Sequence, residues 1–250
     1  MPRPWIISHL ELRARRKRFA LFVNLASNGV LPFPRIRILD VGGTWEYWSQ
    51  FDRSQFSNVE IVLLNVFAQP SVPPPFTALV GDGRELSRFQ DSEFDIVYSN
   101  SVLSLVGTFA DQNLMAREIR RVGKTYFVQT PNRLFVLDWR TLVPFFHLLP
   151  VNVQAWCFQR VKVGLYPRVN DRAEALRIAN RVRDLTSSEL KALFPGATIV
   201  RERVMGLTKS FLIHSGFKPT RTSIDSRVTN AHPRNWMLKR TGVPQKNKGL

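Results

Sequence analysis

The order of its short apolar runs constrains this chain most. Segments at residues 36–41, 59–65 (VEIVLLN), 76–80 (FTALV), 94–99 (FDIVYS) and 124–130 (KTYFVQT) are nearly continuous in apolar residues, and helical or loop stretches such as DQNLMAREIRRV separate them. A strand that is apolar on both faces has to be covered on both sides, the situation of a mostly parallel sheet rather than of a half-exposed antiparallel one. Two further strands, near 197–204 and 208–214, bring the expected total to seven. The expected fold is therefore α/β, a seven-stranded, mostly parallel sheet with helices on both faces.

Other segments frame that sheet. Residues 8–26 read as an imperfectly amphipathic helix carrying Leu10, Leu12, Phe19, Phe22 and Val23 among basic residues. The stretch QPSVPPP at 69–75 is too proline-rich for a helix. About 132–180 the alternation stops for an aromatic-rich insertion, expected to cap the sheet's edge, and DRAEALRIANRVRDL at 171–185 reads as a helix. Thr186 or Ser187 is expected to cap the helix in TSSELKALF. The domain plan is a basic N-terminal helix at 1–30, an α/β domain at 31–215 and a basic, disordered tail at 216–250.

The charge lies mostly at the ends. Of the net +17, RARRKR at 13–18 and the segment 216–250, with eight basic residues and one acidic, supply 12. Such charge suits a polyanion, an anionic lipid surface or an acidic partner, and the expectation is surface attachment through these two segments. No zinc-finger spacing or RNA-binding signature accompanies it. A single cysteine, Cys157, excludes an intrachain disulfide and a multi-cysteine metal cluster, and no metal is expected. No run is long and apolar enough for a signal peptide or a membrane span, so the expected location is the cytoplasm, with peripheral membrane contact open to the basic ends.

Chemistry concentrates at the strand ends. The first strand runs into Asp40, Gly42, Gly43 and Thr44, where glycines let backbone approach a ligand or make a tight turn. The spacing is not the G-x-G-x-x-G of dinucleotide enzymes, and Asn65, rather than an acid, ends the second strand. Asp82 and Gly83 follow the third strand, and Asn100 and Ser101 follow the fourth. In an open α/β sheet this rim is where ligands bind.

These blocks, ILDVGGTWEYW, VEIVLLNV, GDGREL, FDIVYSNSVLSLVG, MAREIRRVGKTYFVQTPNRLFV, PFFHLLP and SSELKALFPGATIVRERVMGLTKSF, occur in an order that resembles class I S-adenosylmethionine-dependent methyltransferases of the type 11 group, over roughly residues 35–214. The resemblance implies a Rossmann-like sheet and S-adenosyl-L-methionine as cofactor. It implies that Asp40, Gly42, Gly43 and Thr44 form the loop around the cofactor's methionine part. Asn65 then stands at the ribose, Asp82 with Gly83 at the adenine edge, and Asn100 with Ser101 beneath the sulfonium. Trp45 and Trp48 are candidates for the cationic sulfur, although packing of the first helix explains them more simply.

On the acceptor side the chain departs from that pattern. Ser104-Leu105 and Asp138-Trp139-Arg140 stand where relatives often carry histidines. Asp138 and His147 remain as candidate acid–base groups and Arg140 as a candidate for orienting an anionic acceptor. Two functions follow. One is methyl transfer to a small-molecule, glycan, lipid or quinone-type acceptor, with the insertion as its pocket; the other is a catalytically degenerate scaffold of the same fold.

Overall fold

A computed structural model describes residues 5–29, 35–51, 58–138 and 140–217. The tail expected at 216–250 lies, from residue 218 onward, outside the described residues, as does Trp139. Seven strands form one sheet in the order β3-β2-β1-β4-β5-β7-β6: β1 Ile36–Val41, β2 Val59–Asn65, β3 Phe76–Val80, β4 Phe94–Asn100, β5 Gly123–Pro131, β6 Thr198–Val204 and β7 Leu207–Ser215. The first five pair in parallel, while β7 is antiparallel to both β5 and β6. The order reverses between β1 and β4, which opens a crevice at their carboxyl ends.

Successive residues of a strand point to opposite faces, so the apolar strands feed two cores. On one face Leu39, Val41, Val97 and Val128 pack with Met115 and Ile119 of α3 (Phe109–Val122) and with Leu190 and Leu193 of α6 (Ser187–Leu193). On the other, Ile36, Ile38, Tyr98 and Phe127 pack with Phe22, Val23 and Ala26 of α1 (Trp5–Gly29) and with Trp48 of the one-turn α2 (Trp45–Trp48). Thr108 and Thr186 cap α3 and α6, each in a reciprocal capping box, with Asp111 and Glu189. Of the two expected capping residues for α6, Thr186 is the one that acts.

Three features go beyond the sequence reading. First, α1 packs on the sheet: Arg15, Arg18, Phe19, Phe22 and Ala26 fall at helical spacing on one inward side, leaving Arg13, Arg16 and Lys17 exposed. Arg18 is buried, its guanidinium Nε 2.9 Å from Glu202 of β6. Second, the insertion leaves the sheet from an inner strand, β5, flanked by β4 and β7. Its helices, α4 (Val151–Arg160) and α5 (Arg172–Asn180), pack on each other around Phe146, Ala155, Phe158, Val163 and Ala175. Third, the helix expected over 171–185 stops at Asn180, because Leu185 bridges in parallel to Asn132 and is fully buried. That bridge joins the segment after α5 to the start of the insertion.

Candidate active site

The β1 loop is built by internal contacts. Gly42 donates its N–H to Leu64 O at 2.7 Å and adopts φ +81°, a conformation that disfavours other residues. A Cβ there would lie 2.3 Å from Val102 Cγ2, and one at Gly43 would lie 2.2 Å from Asp40 Oδ2. Both glycines are thus required by the neighbouring protein atoms, whatever approaches from outside. Asn65 completes the brace: its amide N–H groups donate to the carbonyls of Gly42 at 3.2 Å and Gly43 at 3.1 Å, and its Oδ1 accepts from Val66 N at 2.9 Å. Gln69, which the sequence reading passed over, donates to Gly43 O and accepts from Trp45 N, both at 3.1 Å.

Asp40 is buried and accepts a 2.7 Å hydrogen bond from Trp48 Nε1. Burial disfavours its charged form and pushes the carboxyl up to about 7, the indole bond opposing only part of that. Trp48 is therefore a packing residue that holds Asp40, not an aromatic face turned outward. Tyr47 lies beside it and shares a buried hydroxyl–hydroxyl hydrogen bond with Tyr98, and burial raises the pKa of both phenols.

A cavity of about 230 Å³ opens at the β1–β4 crevice. It is lined by Asp40, Gly42, Gly43, Thr44, Asn100 and Ser101, joined by Arg15, Glu46, Tyr47 and Gln50. Six of the nine residues expected around the cofactor therefore meet in one place, while Asn65, Asp82 and Gly83 are not in its lining. The Asp82 carboxylate accepts from Arg84 N at 2.9 Å and Nε at 3.1 and 3.0 Å, and these bonds hold it below its ordinary range. Ser101 sits at φ +62° and donates through its hydroxyl to Gln129, a buried residue of β5. Asn100 Oδ1 accepts from Arg18 at 3.3 Å, so one arginine of α1 ties that strand end to Glu202. The sequence did hold a signal for Arg15 and Arg18, namely that both share a helical side with Phe19 and Phe22.

The three acceptor-side candidates form a second group, together with Asp184. Asp138 Oδ1 accepts from Arg140 Nε at 2.8 Å and from Arg140 N at 2.9 Å, and the Arg140 guanidinium lies 3.5 Å from Asp184 Oδ2. Arg140 is thus engaged by two carboxylates instead of standing open to an anion. His147 Nε2 lies 2.9 Å from Arg133 O. A carbonyl only accepts, so Nε2 is the donor in this contact. Among the described residues, His147 Nδ1 and Asp184 Oδ1 are both buried without a hydrogen-bond partner. Burial raises the Asp184 pKa, against the pull of Arg140.

Residues 42–126 match the family model described as "Methyltransferase domain". No curated protein sequence matches the chain. Among solved structures, similarity extends to a Galdieria sulphuraria protein described as a sarcosine dimethylglycine methyltransferase, at 20% identity over 46% of either chain with a TM-score of 0.36. A SAM-dependent methyltransferase of Methanosarcina mazei is similar at 14% identity over 73% of this chain and 92% of that one, TM-score 0.42. Magnesium protoporphyrin IX methyltransferase of Synechocystis, solved with bound SAH, is similar at 9% identity over 86% and 88%, TM-score 0.49. The chain spans under half the length of the first of these.

Proposed function

We propose that this chain, which carries a class I methyltransferase domain of the type 11 group, binds S-adenosyl-L-methionine in the β1–β4 crevice and transfers its methyl group to a small-molecule, glycan, lipid or quinone-type acceptor. The observation that carries this reading is the charge arrangement of the cavity. One cation, Arg15, and two acids, Asp40 and Glu46, line it beside the glycine loop. That set complements a zwitterionic α-amino acid, with a carboxylate for the guanidinium and an ammonium for the acids. At about 230 Å³ the cavity is smaller than sites that enclose a whole nucleoside ligand, so it suits the methionine end alone. The nucleoside end is assigned to the rim beyond, where Val66, Phe67 and Val80 are exposed at the ends of β2 and β3, near Asn65 and Asp82.

When bound, the cofactor supplies an already activated methyl group, so the protein's work is alignment and, for a hydroxyl acceptor, proton removal. Asn100 and Ser101 line the crevice at the end of β4. His147, whose buried Nδ1 has no hydrogen-bond partner, is the proposed proton acceptor, and Asp184, with its Oδ1 likewise unpartnered, the second buried proton-handling group. Asp138 is assigned to holding Arg140, and Arg140 to holding Asp184.

Titration calorimetry tests the reading with S-adenosylhomocysteine and with 5′-methylthioadenosine, which lacks the amino-acid end. Wild type should bind the first more tightly. Arg15→Ala should lose about 10- to 100-fold toward S-adenosylhomocysteine, the scale of a charge-assisted contact, and little toward methylthioadenosine. Absence of binding to either ligand by the wild type would overturn the assignment.

A further inference from the structure

The insertion exposes apolar side chains that the sheet domain does not cover. Phe145, Leu148, Leu149, Val153, Trp156 and Val161 are each 40–56% exposed, within a span of seventeen residues. In α4 the inward side is Gln154, Ala155 and Phe158, while Val153, Trp156 and Arg160 share the outward side at helical spacing. A helix apolar on both sides has a second surface to bury. Phe145 is turned out by its backbone as well. It holds φ +60°, uncommon for a bulky residue, with its N–H bonded to Val136 O at 2.8 Å, while the adjacent Phe146 points into the small core.

The charge around this surface identifies what covers it. Residues 139–170 contain no acidic residue, and Arg160, Lys162 and Arg168 are exposed there. The Arg160 guanidinium lies 5.7 Å from the Trp156 ring centroid, so a cation and an amphipathic aromatic occupy the same rim. A second copy of the chain would bring the same cations against these, and residues 218–250 are themselves strongly basic, so like-charge repulsion disfavours both as occupants. An anionic lipid surface satisfies both halves of the pattern, apolar side chains entering the acyl boundary and cations meeting the headgroups. Among the described residues no helix is long and apolar enough to cross a membrane, which suits a face that lies in the interface plane.

We propose that this face of the insertion docks the protein onto an anionic phospholipid bilayer. The inference is independent of the cofactor reading and places a lipid contact on the insertion, apart from the basic ends. The test is co-sedimentation of the full chain with phosphatidylcholine vesicles and with mixed phosphatidylcholine–phosphatidylglycerol vesicles, alongside sedimentation velocity without lipid. The wild type should bind the mixed vesicles more tightly. The triple variant Phe145→Ser, Val153→Ser, Trp156→Ser should bind them about tenfold more weakly or worse, with an unchanged unfolding transition. Arg160→Glu with Lys162→Glu, which leaves the apolar face intact, should narrow the preference for anionic lipid, the basic ends still contributing their share. No vesicle binding by the wild type, or equal binding by the triple variant, overturns the proposal. So does a wild-type dimer that the triple variant dissolves, since that assigns the face to a second copy.

Discussion

Asp40 is a carboxyl placed where its charge is costly, with one indole bond and little else to support ionisation. Its folded pKa lies above its unfolded one, so the folded state holds the proton more tightly. That contribution to stability is complete below pH 4, is lost as pH rises from about 4 to about 7, and then stays lost. The expected difference between wild type and Asp40→Asn, measured by urea unfolding across this range, is a growing relative stabilisation of the variant. Its plateau above pH 7 is of the order of a few kcal/mol. An ammonium ligand reverses the preference, because it stabilises the charge. S-Adenosylhomocysteine should therefore bind the wild type more tightly as pH rises through about 7, with that increment absent from Asp40→Asn. The residue type and its place after β1 were legible from DVGG. Its burial and the indole bond were not, because they depend on how α2 folds back over the strand end. The same limit applies to Asn65, whose position could be read as a strand end but whose amide braces the glycine loop.

At the scale of elements, α1 carries the largest revision. RARRKR reads as a solvated or adhesive charge run, because composition does not distinguish the arginines that face the sheet from those that face water. Phe19, Phe22 and Val23 marked the inward side, and Arg18 lies on it, bonded to Glu202 across 184 positions of sequence. Removing one partner of a buried pair leaves the other charge uncompensated. Arg18→Ala should thus destabilise by about 3 kcal/mol in chemical denaturation, and Glu202→Ala should do the same. A double-mutant cycle should show that the two losses are not additive. Arg18→Ala should also weaken S-adenosylhomocysteine binding indirectly, through Asn100 and the position of Arg15. A role for α1 in surface attachment alone predicts no such loss. The α6 cap is a more local matter: Thr186→Ala should cost about 1 kcal/mol, without effect on ligand affinity. The strands were legible nearly to their ends, since an apolar run flanked by turns leaves few alternatives. The insertion was legible only as an interruption. Its own small core arises from α4 packing on α5, and the end of α5 at Asn180 goes with a long-range bridge at Leu185.

Charge is the property of the whole molecule that sequence and structure describe most differently. The +17 is not one footprint. Arg18 is internal, Arg15 lines the cavity, Arg140 is held by two acids, and Arg13, Arg16 and Lys17 face solvent. The segment from residue 218 onward adds eight basic residues and one acidic, outside the described fold. Gly216 and Phe217 belong to the fold: Phe217 packs against the second core, and a Cβ on Gly216, at φ +85°, would lie 2.8 Å from Lys124 O. A truncation should therefore end at Phe217. Removing residues 218–250 takes away about seven units of net charge while leaving every lining residue of the cavity in place. Affinity for S-adenosylhomocysteine should be unchanged within about twofold, since every lining residue stays and charge that does not touch the ligand is screened at physiological salt. Binding to a polyanion such as heparin should weaken, and its dependence on salt concentration should become shallower, because fewer counterions are released. Arg13→Gln, Arg16→Gln and Lys17→Gln together should act in the same direction, again sparing the cofactor. Arg15→Ala should do the opposite, weakening the cofactor while leaving the polyanion salt dependence nearly as it was. Calorimetry and salt-titrated heparin binding on these three proteins separate the two roles, and a fall in cofactor affinity on truncation at Phe217 would show that the tail reaches the site.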